Sequence, residues 1–296
     1  MAEIIHERFK LIKKCGSGGT GEVYQARDQR LKRLVAIKRV SVSGRTRRDM
    51  LRRLLQEAEY LARVEHANVV DVYDILESET SVSIVMELVR GTPFLDHFRK
   101  KALPEDEFLG FFRQLVAALE AVHGVGLIHR DVNPRNVLVS REGVIKLTDF
   151  GLSVPVSDDK PRAGGTLGYM APETLRTHSR VTFAVDIYSL GFMAYQALLG
   201  IPRFKKLYAT TKPRDWVRWV LSKERFRELS ELDVDVSPGL SKLIARMLEK
   251  DLDQRYRKIT QVRQDLEELL TASHKSVVAR PGRPPSAPPD LRAAAE

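Results

Sequence analysis

The chain has 296 residues, 43% of them hydrophobic and 30% charged, with a formal net charge of +10 and one cysteine. This composition can build a substantial core in one large domain or two lobes. A single thiol, Cys15, excludes an internal disulfide and a cysteine-built zinc site, which fits a reducing, cytoplasmic location. The opening MAEIIHERFK is charged and lacks the apolar run of a signal peptide.

Taken in chain order, the segments FKLIKKCG (9–16) and EVYQAR (22–27) alternate apolar and polar residues around a glycine cluster, and RLVAIKRV (33–40) reads as a third strand. Residues 46–63 read as a helix, with Leu51, Leu54, Leu55, Ala58, Leu61 and Ala62 at helical spacing. Lys and Arg outnumber Asp and Glu by twelve to four between Arg27 and Arg63. That charge is read as a solvated face. An acidic partner is its alternative use, and nucleic acid is disfavoured because no aromatic or zinc-finger pattern accompanies it. SIVMELV (83–89) is a further apolar strand.

Residues 104–123 repeat the helical pattern through Phe108, Phe111, Phe112, Leu115, Leu119 and Val122, with Pro104 and three acids at the start, where the helix dipole favours them. Short strands are expected within 124–150, and mostly helix from there to about 271. The uncharged run at 187–201 falls short of the ~20 residues that span a bilayer and follows Asp186 directly, so it reads as a buried core helix. The predicted fold is α+β, with a strand-rich lobe over 1–87 and a larger helical lobe over 88–271. A Pro/Ala-rich flexible tail is expected over 272–296. Its RPGRPPSAPPDLRAAAE holds five of the fourteen prolines and buries too little to fold alone.

Chemistry begins at CGSGGTGEV. Gly16, Gly18 and Gly21 form G-x-G-x-x-G, whose bare backbone can approach phosphate oxygens. A dinucleotide fold would follow the glycines with a helix. Here a strand follows, which favours a glycine hairpin lying over a nucleotide. Lys38 ends VAIK on the third strand and suits a phosphate if a carboxylate holds it. Glu57 and Glu59 both lie about 100° from the apolar stripe of the 46–63 helix, so periodicity does not choose between them. HRDVNPRN supplies Asp131 and Asn136, and DFG supplies Asp149, 18 residues after Asp131. One carboxylate can accept a proton from a hydroxyl, while an Asn and a second Asp offer oxygen ligands to magnesium.

This ordered set resembles the protein kinase superfamily over roughly residues 8–270, and GEVYQARDQRLKRLVAIK is similar to the bacterial Hanks-type Ser/Thr kinases. The resemblance implies a bilobal fold and transfer of the γ-phosphoryl group of ATP to protein Ser or Thr, with autophosphorylation. Mg²⁺ is the implied metal, and Mn²⁺ its substitute. It assigns nucleotide contacts to Cys15, Gly16, Ser17, Gly18, Gly19, Gly21, Val23, Ala36, Leu138 and Thr148. Met86 matches the gatekeeper, with Glu87 and Leu88 in the hinge that binds adenine through backbone groups. The resemblance selects Glu57 as the partner of Lys38, Asp131 as the base, and Asn136 with Asp149 as metal ligands. Glu173 of APE would pair with Arg255, and Asp186 would anchor the catalytic loop. Partners implied are protein substrates and ATP, with a second copy of the chain as a further option.

The sequence departs from the family at three places. Asn133 stands where Ser/Thr kinases carry a lysine beside the γ-phosphate, and Arg135 is the nearest replacement charge. Replacing Asn133 by lysine is expected to preserve or raise activity. Thr166 matches the threonine that contacts the catalytic aspartate in Ser/Thr kinases. DDKPRAGG (158–165) has no hydroxyl where the family's phosphosites lie. This leaves Asp158 and Asp159 as fixed charge near Arg130, and Ser153 and Ser157 as the remaining hydroxyls. Cys15 replaces an aliphatic roof over adenine. His129 and His66 read as packed scaffold. The alternative functions are a kinase-like scaffold without catalysis and a small-molecule kinase on the same fold; the intact site residues and the GTLGYMAPE segment argue against them.

Overall fold

A computed structural model describes residues 3–18, 21–41, 47–157, 164–176, 181–208 and 212–278. Gly19, Asp158, Asp159 and the proline-rich stretch 279–296 lie outside the described residues.

The small lobe is an antiparallel sheet built from β1 (Ile4–Ile5), β2 (Phe9–Gly18), β3 (Gly21–Asp28), β4 (Leu34–Ser41), β5 (Val72–Glu77) and β6 (Ser81–Met86), in the order β1-β2-β3-β4-β6-β5. Alternation along β4 sends Val35 and Ile37 to one face and Ala36 and Val40 to the other, and both faces are buried. The outer face packs against Phe9, Leu11, Ala26 and Val85. The inner face joins the main core beneath helix α1 (Arg47–Ala62), through Ala58 and Leu61. The expected strand 83–89 ends as a strand at Met86, and β5 is an element the sequence pattern did not mark.

The large lobe opens with β7 (Gly91–Pro93), the short α2 (Leu95–Phe98) and α3 (Glu105–Gly124). β8 (Leu127–Ile128), β9 (Val137–Ser140), β10 (Ile145–Leu147) and β11 (Val154–Pro155) carry the loops of the cleft. Helices α4 (Ala184–Leu199), α5 (Ile201–Leu207), α6 (Pro213–Leu221), α7 (Pro238–Met247) and α8 (Ile259–Val278) follow.

Every residue of α4 is buried, as an uncharged run inside a two-lobed protein should be. A Cβ added at Gly191 would stand 2.6 Å from the Cβ of Met247, so glycine there lets α7 lie close against α4. No single described helix is long and apolar enough to cross a membrane. One expectation needs correction. Residues 272–278, assigned to the flexible tail, continue α8 to Val278. The apolar spacing that marks the helix stops at Leu270, but the helical backbone runs on to Val278.

Candidate active site

The glycine hairpin between β2 and β3 covers the cleft. Gly18 pairs with Gly21, and the β2–β3 ladder shifts register between Leu11 and Lys13 and again between Lys14 and Gly16. Gly21 has φ of +120°, and a Cβ there would meet the carbonyl oxygen of Arg39 at 2.5 Å, so no other residue fits without moving backbone. Gly16 and Ser17 are exposed, as is Cys15, whose thiol has only a 3.9 Å contact to the Lys13 carbonyl.

Beneath the hairpin lies a cleft of about 1000 Å³. Cys15, Val23, Ala36, Leu88 and Leu138 line it, five residues that the sequence assigned to the nucleotide. Val89 also lines it, and the sequence analysis did not single it out. Met86 sits behind this wall, 8% exposed and paired with Ala36 across β4 and β6. Glu87 does not face the cleft with its side chain. Its carboxylate takes a 2.7 Å ion pair from Lys146, and its backbone N–H is given to the Asp71 carbonyl. Thr148 is held by its backbone, donating to Asn136 O and accepting from His129 Nε2.

The polar end of the cleft joins the lobes. Lys38 is 5% exposed and donates to Asp149 Oδ1 at 2.8 Å. Burial alone would raise the Asp149 pKa, but the charge and hydrogen bond of Lys38 outweigh it and hold the carboxyl below its ordinary value. The backbone of Glu57 lies in α1, and its side chain is outside the described residues.

The catalytic loop hangs from α4. Asp186 is fully buried and accepts from the backbone N–H of His129 at 2.8 Å and of Arg130 at 2.7 Å, and from His123 Nε2 at 2.9 Å. His123, stacked on Phe183, is a buried anchor that the sequence analysis missed. Its only signal was its place beside the apolar stripe of α3. His129 is fully buried, as expected of scaffold, and accepts from the Asp131 N–H through Nδ1. Arg130 and Asp149 have φ of +68° and +65°. Such strain costs about 1–3 kcal/mol at each residue and persists only where the surroundings enforce it.

Asp131 is then fixed at both oxygens. Oδ1 accepts the Thr166 N–H at 2.8 Å, and Oδ2 accepts Asn136 Nδ2 at 2.8 Å. Asn136 Nδ2 also donates to the Asp131 carbonyl at 3.0 Å.

Asn133 is 2% exposed and fully engaged. Nδ2 donates to the Asp131 carbonyl at 3.0 Å and to Thr166 Oγ1 at 3.2 Å, while Oδ1 accepts from the Arg135 N–H at 2.9 Å. Both of its N–H groups are thus committed to the loop and to Thr166. The Arg135 side chain is exposed and makes no hydrogen bond among the described residues. Ser153 is buried against the His129 carbonyl, whereas Ser157 is exposed.

Farther along, Glu173 and Arg255 form the expected pair, bidentate at 2.8 and 3.1 Å and buried. The turn 172–175 is thereby locked to the core.

A divalent metal can be tested against these groups. Asn136 spends both N–H groups on Asp131, which turns its Oδ1 away with no donor among the described residues. Asp149 keeps Oδ2 beside the oxygen that Lys38 takes. Two protein oxygens suit Mg²⁺, which keeps several waters and takes phosphate oxygens for the rest of its shell. The residues fit.

A strand-rich lobe and a helical lobe that meet at a lysine, two aspartates and an asparagine define the protein kinase class of fold. The chain belongs to the protein kinase domain family, whose match runs over residues 9–266. It is 30% identical over 93% of its length to a probable serine/threonine-protein kinase of Clostridium perfringens. It is 31% identical over 92% to the probable serine/threonine-protein kinase PknB of Lactococcus lactis, and 31% identical over 93% to the serine/threonine-protein kinase pkn2 of Myxococcus xanthus. The chain covers 41%, 42% and 34% of those three proteins, less than half of each.

Proposed function

We propose that this chain transfers the γ-phosphoryl group of ATP to serine or threonine hydroxyls of proteins, its own among them, in the cytoplasm. The observation that carries the reading is the Asp131 carboxylate, held between the Thr166 N–H and Asn136 Nδ2, while the Asn136 carbonyl accepts from Thr148, next to the Asp149 that Lys38 reaches. A carboxylate so placed orients an acceptor hydroxyl and takes its proton as the new P–O bond forms. Cys15, Val23, Ala36, Leu88 and Leu138 would enclose the base, with Met86 behind them, Glu87 contributing backbone and Thr148 supporting the floor. The hairpin Gly16, Ser17, Gly18, Gly19 and Gly21 would cover the phosphates. Lys38, partnered by Glu57, would hold the α- and β-phosphates.

Asn136 and Asp149 would hold Mg²⁺, or Mn²⁺ in its place, and the ion would neutralise charge gathering on the phosphate oxygens. Asn133 has no charge to give and holds Thr166, so Arg135 is the cation left to meet the γ-phosphate. The hydroxyl specificity rests on Thr166 and on the names of the relatives.

The test is incubation with γ-labelled ATP and Mg²⁺, followed by acid hydrolysis and identification of the labelled amino acid. Label on phosphoserine or phosphothreonine is the expected result. Label on phosphotyrosine alone overturns the hydroxyl specificity. An unlabelled protein that still binds ATP and leaves peptide acceptors unlabelled overturns the enzymatic reading in favour of a scaffold.

A further inference from the structure

We propose that the outer face of α5 and α6 is a docking surface for an acidic segment of the protein substrate; the proposal rests on the phosphotransfer reading and names the partner chemistry for it. Residues 203–227 contain nine Lys or Arg (Arg203, Lys205, Lys206, Lys212, Arg214, Arg218, Lys223, Arg225 and Arg227) against Asp215 and Glu224. That excess of seven is denser than the excess of eight spread over 27–63. Both regions hold exposed cations. In the small lobe Lys38 donates to Asp149, Arg39 pairs with Glu3 and Arg33 lies over the Tyr73 ring at 3.7 Å, while Arg27, Arg30 and Lys32 are exposed. Lys205 and Lys206 on α5, Lys212 just before α6 and Arg214 on α6 are exposed, and none meets a carboxylate among the described residues. Of the others, Arg218 reaches Asp215 at 3.5 Å, Arg225 pairs with Glu249 at 3.0 Å, and Arg203 and Arg227 donate to the carbonyls of Asp233 and Glu231.

Aromatic contacts join the two helices. Phe204 of α5 packs edge-on against Trp216 of α6 at 6.1 Å, Tyr208 against Trp219 at 5.5 Å, and Trp216 stacks on Trp219 at 5.4 Å. The aromatic layer holds the helices together, and the cations stand outside it. Lys250 lies within that layer, over the Trp219 ring, and burial pushes its ammonium down to about 8.

Position decides the class of partner. α6 packs against the turn 172–175, the end of the segment that begins at Thr166 beside Asp131. That turn is locked by Glu173 and Arg255. A polypeptide lying along 166–175 with its hydroxyl at Asp131 would run onto the basic face next. Acidic residues on it would find the exposed Lys205, Lys206, Lys212 and Arg214 there, and like charges would be repelled, which raises both encounter rate and discrimination. A nucleic acid would meet the same cations, but nothing places its backbone near Asp131.

The test uses the full chain and two fluorescein-labelled synthetic peptides, each with one Ser-Thr acceptor pair. One carries six glutamates on one side of the pair, and the other carries six glutamines. Binding is read by anisotropy at low salt, and phosphate transfer is read separately. The Glu peptide is expected to bind at least about tenfold more tightly, with the difference shrinking as salt rises. The quadruple variant Lys205→Glu, Lys206→Glu, Lys212→Glu, Arg214→Glu should abolish the preference. The same four changed to Gln, a milder substitution on exposed helix positions, should abolish most of it. Reversal of Arg27, Arg30 and Lys32 to Glu on the small lobe should leave it intact. Equal affinity for the two peptides overturns the proposal. So does a preference lost with the small-lobe variant and kept by the quadruple one, or tighter binding of a DNA duplex of matching charge than of the Glu peptide. Binding decides the docking surface. Absence of transfer to both peptides would instead count against the phosphotransfer reading.

Discussion

The glycine hairpin and the catalytic loop are held in opposite ways. From Ile12 to Ser17 the β2 side is exposed, and it is held by a ladder with two register shifts. The catalytic loop hangs on a fully buried carboxylate, Asp186, that takes three hydrogen bonds, and every polar group of the Asn133 amide is committed. The difference follows from the two tasks proposed for them. A cover over phosphates works by backbone approach and must let nucleotide in and out. A base must be placed within tenths of an ångström of a hydroxyl, and a misplacement of 1 Å costs about a hundredfold in rate. Precision is therefore bought with buried polar groups, each of which is costly if left unpaired.

Substitutions can break this contrast. The largest expected effect lies where the large lobe is locked. Arg255→Leu leaves Glu173 buried without its counter-charge and should lower stability by about 3–5 kcal/mol, read as a shift in the urea midpoint. A loss below about 1 kcal/mol would show that the pair is solvated rather than structural. Next comes the loop itself. Asn133→Ala frees the Thr166 hydroxyl and one Asp131 contact, and should lower kcat about ten- to a hundredfold with the KM for ATP nearly unchanged. Asn133→Lys, whose ammonium can donate to the same hydroxyl, should keep or raise kcat. On the opposite wall Cys15→Ala should change kcat by less than about twofold, because the thiol makes no close contact. If Cys15→Ala proved the more damaging of the two, the contrast would be wrong.

Much of this site is legible in the sequence because its chemistry forces residue types at fixed spacing. Gly21 must be glycine against the Arg39 carbonyl, and Asp131, Asn136 and Asp149 supply the oxygens that the proposed base and metal roles require. Asp186 and the Glu173–Arg255 pair were legible only through resemblance, since a charge buried by partners far along the chain has no local signature. His123 was hidden for the same reason: its partner lies 63 residues away. The side chain of Glu87 also illustrates the limit, because a hinge position says nothing about which way a carboxylate turns. It turned to Lys146. The basic face of α5 and α6 was present as letters, but its meaning depends on an aromatic layer and a neighbouring turn that only folding brings together.

The account stands on Asp131 acting in transfer rather than in nucleotide binding. The direct measurement is single-turnover phosphoryl transfer to a Ser/Thr peptide by the wild-type chain and by Asp131→Asn, with ATP affinity measured on both. The account predicts a loss of transfer of about a thousandfold with ATP affinity unchanged within about twofold. Equal transfer rates, or loss of transfer matched by loss of ATP binding, would contradict it.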